Sequence, residues 1–208
     1  MPRTTVLFVL LLAALGGFVA LALTYEREPF VTVDAELSTW VYEDLGSWGV
    51  WLARPFSWLG GWIGLTVLGI AAVAVLVRKR AVGDLVFFLV AYLGAQALVA
   101  VLKALFGRVR PEIGSAVPLP ETASFPSGHA TAGIASLGAL AVFASERLES
   151  RRARVWLWAS VAVAGIAVGL SRVALNVHYL TDVLAGWCLG LAWVAGCLLV
   201  RERLRSRG

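Results

Sequence analysis

Residues Leu180–Val200 read LTDVLAGWCLGLAWVAGCLLV, an apolar run with a single charge, at Asp182. As an α-helix it is about 31 Å long, matching a hydrocarbon layer of about 30 Å. A surface helix of a soluble protein keeps one polar face, and beyond its first turn this run has none. It predicts a membrane-crossing helix. Working outward, five more stretches repeat the pattern: Val6–Leu23, Phe56–Val77, Leu85–Phe106, Ala130–Ala144 and Val155–Leu170. All six are expected as helices, because an isolated strand cannot satisfy its backbone in lipid. The expected fold is all-α, a six-helix transmembrane bundle formed by one domain over residues 1–208.

Composition agrees. The 208 residues are 60% apolar and only 15% charged, whereas soluble domains are about 45–50% apolar with about a quarter charged. These values exclude a disordered chain, a collagen-like repeat and a secreted disulfide scaffold. Cys188 and Cys197 both fall within the quoted run, which argues against a bridge or a metal site. Arg3 and Ala20-Leu21-Ala22 imitate a secretion signal with its cleavage site. The intervening apolar run of 18 residues exceeds the usual 7–15 of such a signal, so the first helix is expected to be retained.

The charges orient the bundle. With the amino terminus inside, 12 of the 18 basic residues are cytoplasmic (Arg3, Arg78, Lys79, Arg80, Arg147, Arg151, Arg152, Arg154, Arg201, Arg203, Arg205, Arg207) and six are outside. Nine of the 13 acidic residues fall outside. Cytoplasmic loops carry the excess of Lys and Arg, so both termini are expected in the cytoplasm of a cell-membrane protein. The net +5 thus marks orientation and not a nucleic-acid partner.

Trp40, Trp48, Trp51, Trp58 and Trp62 precede and enter the second stretch, as in an outer aromatic belt. Among them Leu37, Val41 and Leu45 recur at fourfold spacing behind Asp34, a candidate N-cap. A short interfacial helix over Asp34–Leu45 is expected in the first outer loop, as a connector or as a lateral gate. The pairs Gly60/Gly64, Gly165/Gly169 and Gly186/Gly190 suit close helix packing.

Polar side chains near membrane depth are costly and usually mark function. Lys103 lies in the third stretch and Arg110 follows seven residues later. About two helical turns separate them, so both are expected on one face, with Pro111 ending the helix. Snorkelling of a lone lysine is the ordinary alternative. Ser124-Phe125-Pro126-Ser127-Gly128-His129 precedes the fourth stretch. A proline and a serine are ordinary helix-start signals, but His129 in the first turn beside open backbone N–H groups suits an anion. His178, the other histidine, stands four residues before Asp182. An i, i+4 pair on one helix face lets a carboxylate hold one ring nitrogen and leave the other free. Ser171 and Arg172 bring a third cation to the same side.

Together these residues resemble the type 2 phosphatidic acid phosphatase superfamily of integral membrane phosphatases. Its K-x6-R-P motif is matched by Lys103, Arg110 and Pro111, its P-S-G-H by Pro126 to His129, and its S-R-x5-H-x3-D by Ser171, Arg172, His178 and Asp182. The resemblance implies that His178 attacks phosphorus and carries a phosphohistidine, with Asp182 fixing its tautomer. It implies that His129 protonates the leaving oxygen and then activates water. Lys103, Arg110 and Arg172, with Ser127 and the Gly128 amide, would hold the phosphate oxygens. No cofactor or metal is expected. The partners implied are the bilayer and a phosphorylated lipid: undecaprenyl diphosphate, phosphatidylglycerol phosphate or phosphatidic acid. Transfer to a lipid hydroxyl by the same intermediate is an alternative, as is a silent transporter or scaffold; the spans argue against a soluble vanadium haloperoxidase. Oligomeric state is not legible.

Overall fold

The computed structural model describes residues 3–206; Arg207, counted above with the cytoplasmic cations, lies outside them. The described residues form eight helices and no strand: α1 (Arg3–Thr24), α2 (Phe30–Glu43), α3 (Gly46–Gly60), α4 (Trp62–Arg78), α5 (Val82–Phe106), α6 (Gly128–Ser145), α7 (Arg151–Ala174) and α8 (Leu180–Arg205). Five are long and apolar enough to cross a membrane. The bent pair α3–α4, with an angle of 43°, makes the sixth candidate span. The protein is therefore an all-helical, multi-pass membrane protein.

Several boundaries differ from the sequence reading. The second stretch is not one helix from Phe56, because Gly61 adopts an extended conformation (φ −75°, ψ 169°) between α3 and α4. The interfacial helix begins at Phe30, and Asp34 lies inside it. Asp34 therefore does not cap the helix. Its carboxylate is buried and turned toward the bundle. The fourth and fifth stretches gain polar ends, with Ser150 accepting the Ala153 N–H at 3.4 Å ahead of α7.

Helix α6 sits at the centre, packed by α5, α7 and α8. Its sequence, GHATAGIASLGALAVFAS, is rich in small residues, which lets three neighbours approach closely. The glycine pairs serve this packing unevenly. A Cβ on Gly186 would lie 2.7 Å from the Ser127 carbonyl and 2.8 Å from the Ala130 Cβ, so α8 touches the start of α6 there. Gly64 instead faces the carbonyls of Trp58 and Leu59 at the α3–α4 break. Helix α1 packs along α8 through Leu7, Ala14 and Phe18 and exposes most of its other side chains. Trp40, Trp48, Trp51, Trp58 and Trp62 are all exposed, as an aromatic belt requires. Cys188 and Cys197 are free thiols.

The two ends of the bundle differ chemically. At one end, buried Arg201 bonds Asp84 and Glu146 (2.8 Å), with Arg205 beside them and Arg3 on Glu202 at 3.2 Å. The other end collects the carboxyl ends of α1, α5 and α7 and the amino ends of α6 and α8. It holds the polar residues of the three motifs.

Candidate active site

The α5 helix does not reach Arg110. Gly107 closes it in the left-handed conformation (φ 62°), and its N–H bonds the Lys103 carbonyl. Lys103 and Arg110 therefore do not share a helix face. They meet because residues 107–127 fold back as an irregular loop. Lys103 Nζ bonds the Ala123 carbonyl and lies 3.4 Å from that of Ser124. Arg110 spends its fork on the Thr122 carbonyl (Nε, 3.0 Å) and the Val177 carbonyl (Nη1, 2.6 Å). One motif thus ties the loop ahead of α6 to the turn ahead of α8.

His178 belongs to that turn and not to α8, whose N-cap is Tyr179. The contact with Asp182 comes from capping geometry rather than from a shared helix face. Asp182 Oδ2 accepts the Tyr179 N–H at 3.0 Å and lies 3.2 Å from His178 Nδ1. Arg110 Nη1 lies 3.2 Å from His178 Nε2. A guanidinium has no acceptor, so this geometry leaves the lone pair on Nε2 and the hydrogen on Nδ1, directed at Asp182. Burial pushes the His178 pKa down to about 4, and the nearby charges of Arg110 and Lys103 act in the same direction, against the pull of Asp182. His178 is thus a neutral imidazole at pH 7.

The Pro126–His129 motif forms the start of α6. Ser127 occupies the N-cap position with its N–H on the Asp182 carbonyl at 3.0 Å. Its hydroxyl makes no capping bond; it is buried and has no protein partner. His129 faces the α3–α4 break, where a Cβ on Gly61 would lie 3.3 Å from its Nε2. Lys103, Arg110, Arg172 and His178 are all close enough to act electrostatically on His129. Arg172 is buried on α7, which continues past it to Ala174. Its Nη1 bonds Ser57 of α3, and its Nε has no protein partner. Ser171 turns its hydroxyl back to the Val168 carbonyl at 2.7 Å, a local helix bond. Pro111 and Pro126 are fully buried. A recess of about 380 Å³ opens between residues 107–112 and 119–123, with Arg110 in its wall.

Several contributors escaped the sequence reading. Ser124 donates to Asp182 Oδ2 and lies 3.3 Å from His178 Nδ1. Arg108 Nη1 bonds Asp182 Oδ1 at 2.6 Å, and its Nη2 bonds Asp34 at 2.8 Å. Ser124 opens the stretch quoted above, and Arg108 stands two residues before a motif arginine; that adjacency was the available signal. Asp34, expected only as a helix cap, and Ser57 lie far in sequence from every motif.

A family model described as the PAP2 superfamily matches residues 84–206. The chain is 38% identical over 94 residues to phosphatidylglycerophosphatase B of Bacillus subtilis, covering 44% of this chain and 45% of that protein. It is 31% identical over 139 residues to an undecaprenyl-diphosphatase of Sulfolobus acidocaldarius, covering 64% and 60%. The chain therefore spans between about half and three-fifths of these curated relatives. The crystal structure of a transmembrane PAP2-type phosphatidylglycerolphosphate phosphatase from Bacillus subtilis superposes with a TM-score of 0.81. It is 25% identical and covers 100% of this chain and 98% of that one.

Proposed function

The chain belongs to the PAP2 superfamily, and from that premise we propose that it is a membrane lipid phosphatase acting at the outer leaflet without a metal. The observation that carries the reading is a pair of buried donors, the Ser127 hydroxyl and the Arg172 Nε–H, that lack any protein acceptor. An unsatisfied buried donor costs about 1–3 kcal/mol. A phosphate group supplies acceptors for both, at the amino end of α6 where oriented N–H groups favour an anion.

In the proposed reaction the Nε2 lone pair of His178 forms a bond to phosphorus while the bond to the lipid oxygen breaks. His129, carrying a second ring proton when the phosphate anion is bound, gives that oxygen a proton. The Nδ1–H of the phosphorylated ring keeps donating to Asp182, whose negative charge balances the charge gained by the imidazole. Water then attacks phosphorus, His129 takes its proton, and the electron pair of the P–N bond returns to Nε2. Lys103, Arg110 and Arg172 offset charge on the three nonbridging oxygens, the role metal ions fill in other phosphoryl transfers.

The names of the relatives support a phosphatidylglycerol phosphate or a polyprenyl diphosphate as substrate, with phosphatidic acid as the third candidate. The charge asymmetry supports an outward-facing site and cytoplasmic termini. The test is phosphate release from these three lipids in detergent with EDTA, comparing wild type with His178→Ala. Release by the wild type alone supports the reading; equal release by both proteins sinks it.

A further inference from the structure

The interfacial helix is held by polar contacts to the segment that carries His178. Asp34, on α2, is 2% exposed. Its Oδ2 accepts Arg108 Nη2 at 2.8 Å and the Thr181 hydroxyl, while its Oδ1 accepts the Thr181 N–H at 3.1 Å. One turn on, Ser38 donates to Asn176 at 2.7 Å, two residues before His178. The guanidinium carbon of Arg108 lies over two aromatic rings, 4.6 Å from the Tyr25 centroid and 4.4 Å from that of Tyr179. Two cation–π contacts and two carboxylates restrain the fork, with Nη1 on Asp182 and Nη2 on Asp34. Burial alone would lower the Arg108 pKa, but Asp182 and Asp34 raise it above the ordinary arginine value.

We propose that Arg108 and Asp34 are positioning residues: Arg108 holds Oδ1 of Asp182 so that Oδ2 alone serves His178, and Asp34 anchors Arg108 to α2. This rests on the phosphatase reading above. The geometry separates Arg108 from the phosphate-holding cations. Both ends of its fork are committed to carboxylates, and it stands behind Asp182 as seen from His178. Its work is therefore to limit the rotation and temper the charge of Asp182. A carboxylate held by a single guanidinium, a serine and a backbone N–H stays ionised and does not strip the proton from Nδ1. The α2 helix becomes part of the catalytic support, since loosening it frees the guanidinium.

The test is steady-state kinetics of Arg108→Gln, Arg108→Lys and Asp34→Ala with a lipid phosphate in detergent, including the pH dependence of kcat/KM. The charged and titratable groups acting on His178 are Arg110 on the loop, Lys103 on α5, His129 on α6 and Asp182 on α8; only Arg108 and Asp34 are altered. For Arg108→Gln we expect kcat to fall about 10- to 100-fold, by analogy with the outer partners that orient metal-bound imidazoles. KM should stay within about twofold, because no phosphate contact is lost. The acid limb should move up by about one pH unit, because Asp182 without its counter-charge holds the His178 proton more firmly. Arg108→Lys should restore the limb while kcat stays reduced, since an ammonium on a flexible stem lacks the rigid planar fork that holds both carboxylates. Asp34→Ala should lower kcat at constant KM. If Arg108→Gln fails to fold, the lysine variant decides: wild-type kcat there overturns the proposal. So does a folded Arg108→Gln protein with wild-type kcat and limb, or one that loses only KM. Absence of phosphate release by the wild type would instead overturn the phosphatase reading.

Discussion

Arg110 Nη1 lies 3.2 Å from His178 Nε2, so a cation and a lone pair occupy the place where a phosphate would enter. A phosphate oxygen that takes up this donor releases the lone pair toward phosphorus. Arg110→Lys keeps the charge and loses the fork that also binds the Thr122 and Val177 carbonyls. We expect kcat/KM to fall about 10²- to 10³-fold, the cost of one preorganised transition-state donor. Kinetics on a short-chain lipid phosphate check this; a loss below about threefold contradicts it.

The burial of neutral His178 also sets a pH dependence. Its folded pKa of about 4 lies below the ordinary value of about 6.5, so the unfolded chain binds the proton more readily. The stability this provides is complete above about pH 6.5 and is lost as pH falls toward 4. Thermal unfolding in detergent at pH 7.0 and 4.5 should show a larger drop for wild type than for His178→Gln. Equal drops would place the effect elsewhere.

Much of the bundle was legible because lipid imposes a length and forbids open backbone, so runs such as Leu180–Val200 admit one reading. The motif spacings were equally plain. What failed was the use of helical periodicity to explain them. Lys103 and Arg110 meet through a loop, because Gly107 can adopt the left-handed conformation that stops α5. His178 reaches Asp182 through a capping turn. Asp34 reads as a cap because N-caps and buried ion-pair partners draw on the same residue type. Its true partner, Arg108, is 74 positions away, beyond the reach of any local pattern.

Close approach of α8 to α6 is expected to be intolerant at one glycine. In Gly186→Ala the new methyl meets the Ser127 carbonyl and the Ala130 Cβ, so the start of α6 must shift. Overpacking of this kind costs about 1–3 kcal/mol, and here it also displaces Ser127 and His129. We expect lower thermal stability and lower kcat together. Gly16→Ala, with nothing within 4 Å of the added atom, should leave both unchanged and serves as the control.

The proposed orientation makes a separate claim. In a background of Cys188→Ala and Cys197→Ala, a cysteine replacing exposed Glu121 should react with a membrane-impermeant maleimide added to intact cells. One replacing exposed Arg152 should react only after permeabilisation. The reverse pattern would turn the site to the cytoplasm and overturn the outer-leaflet assignment.

The most direct measurement is rapid quenching of the enzyme with a lipid carrying labelled phosphate, split between alkaline and acid stops. A phosphorus–nitrogen bond survives alkali and breaks in acid. The expected result is label on the wild-type protein at His178 after the alkaline stop, lost after the acid stop, and absent from His178→Ala. Full turnover with no labelled protein at any time point, or label retained in His178→Ala, would contradict the account.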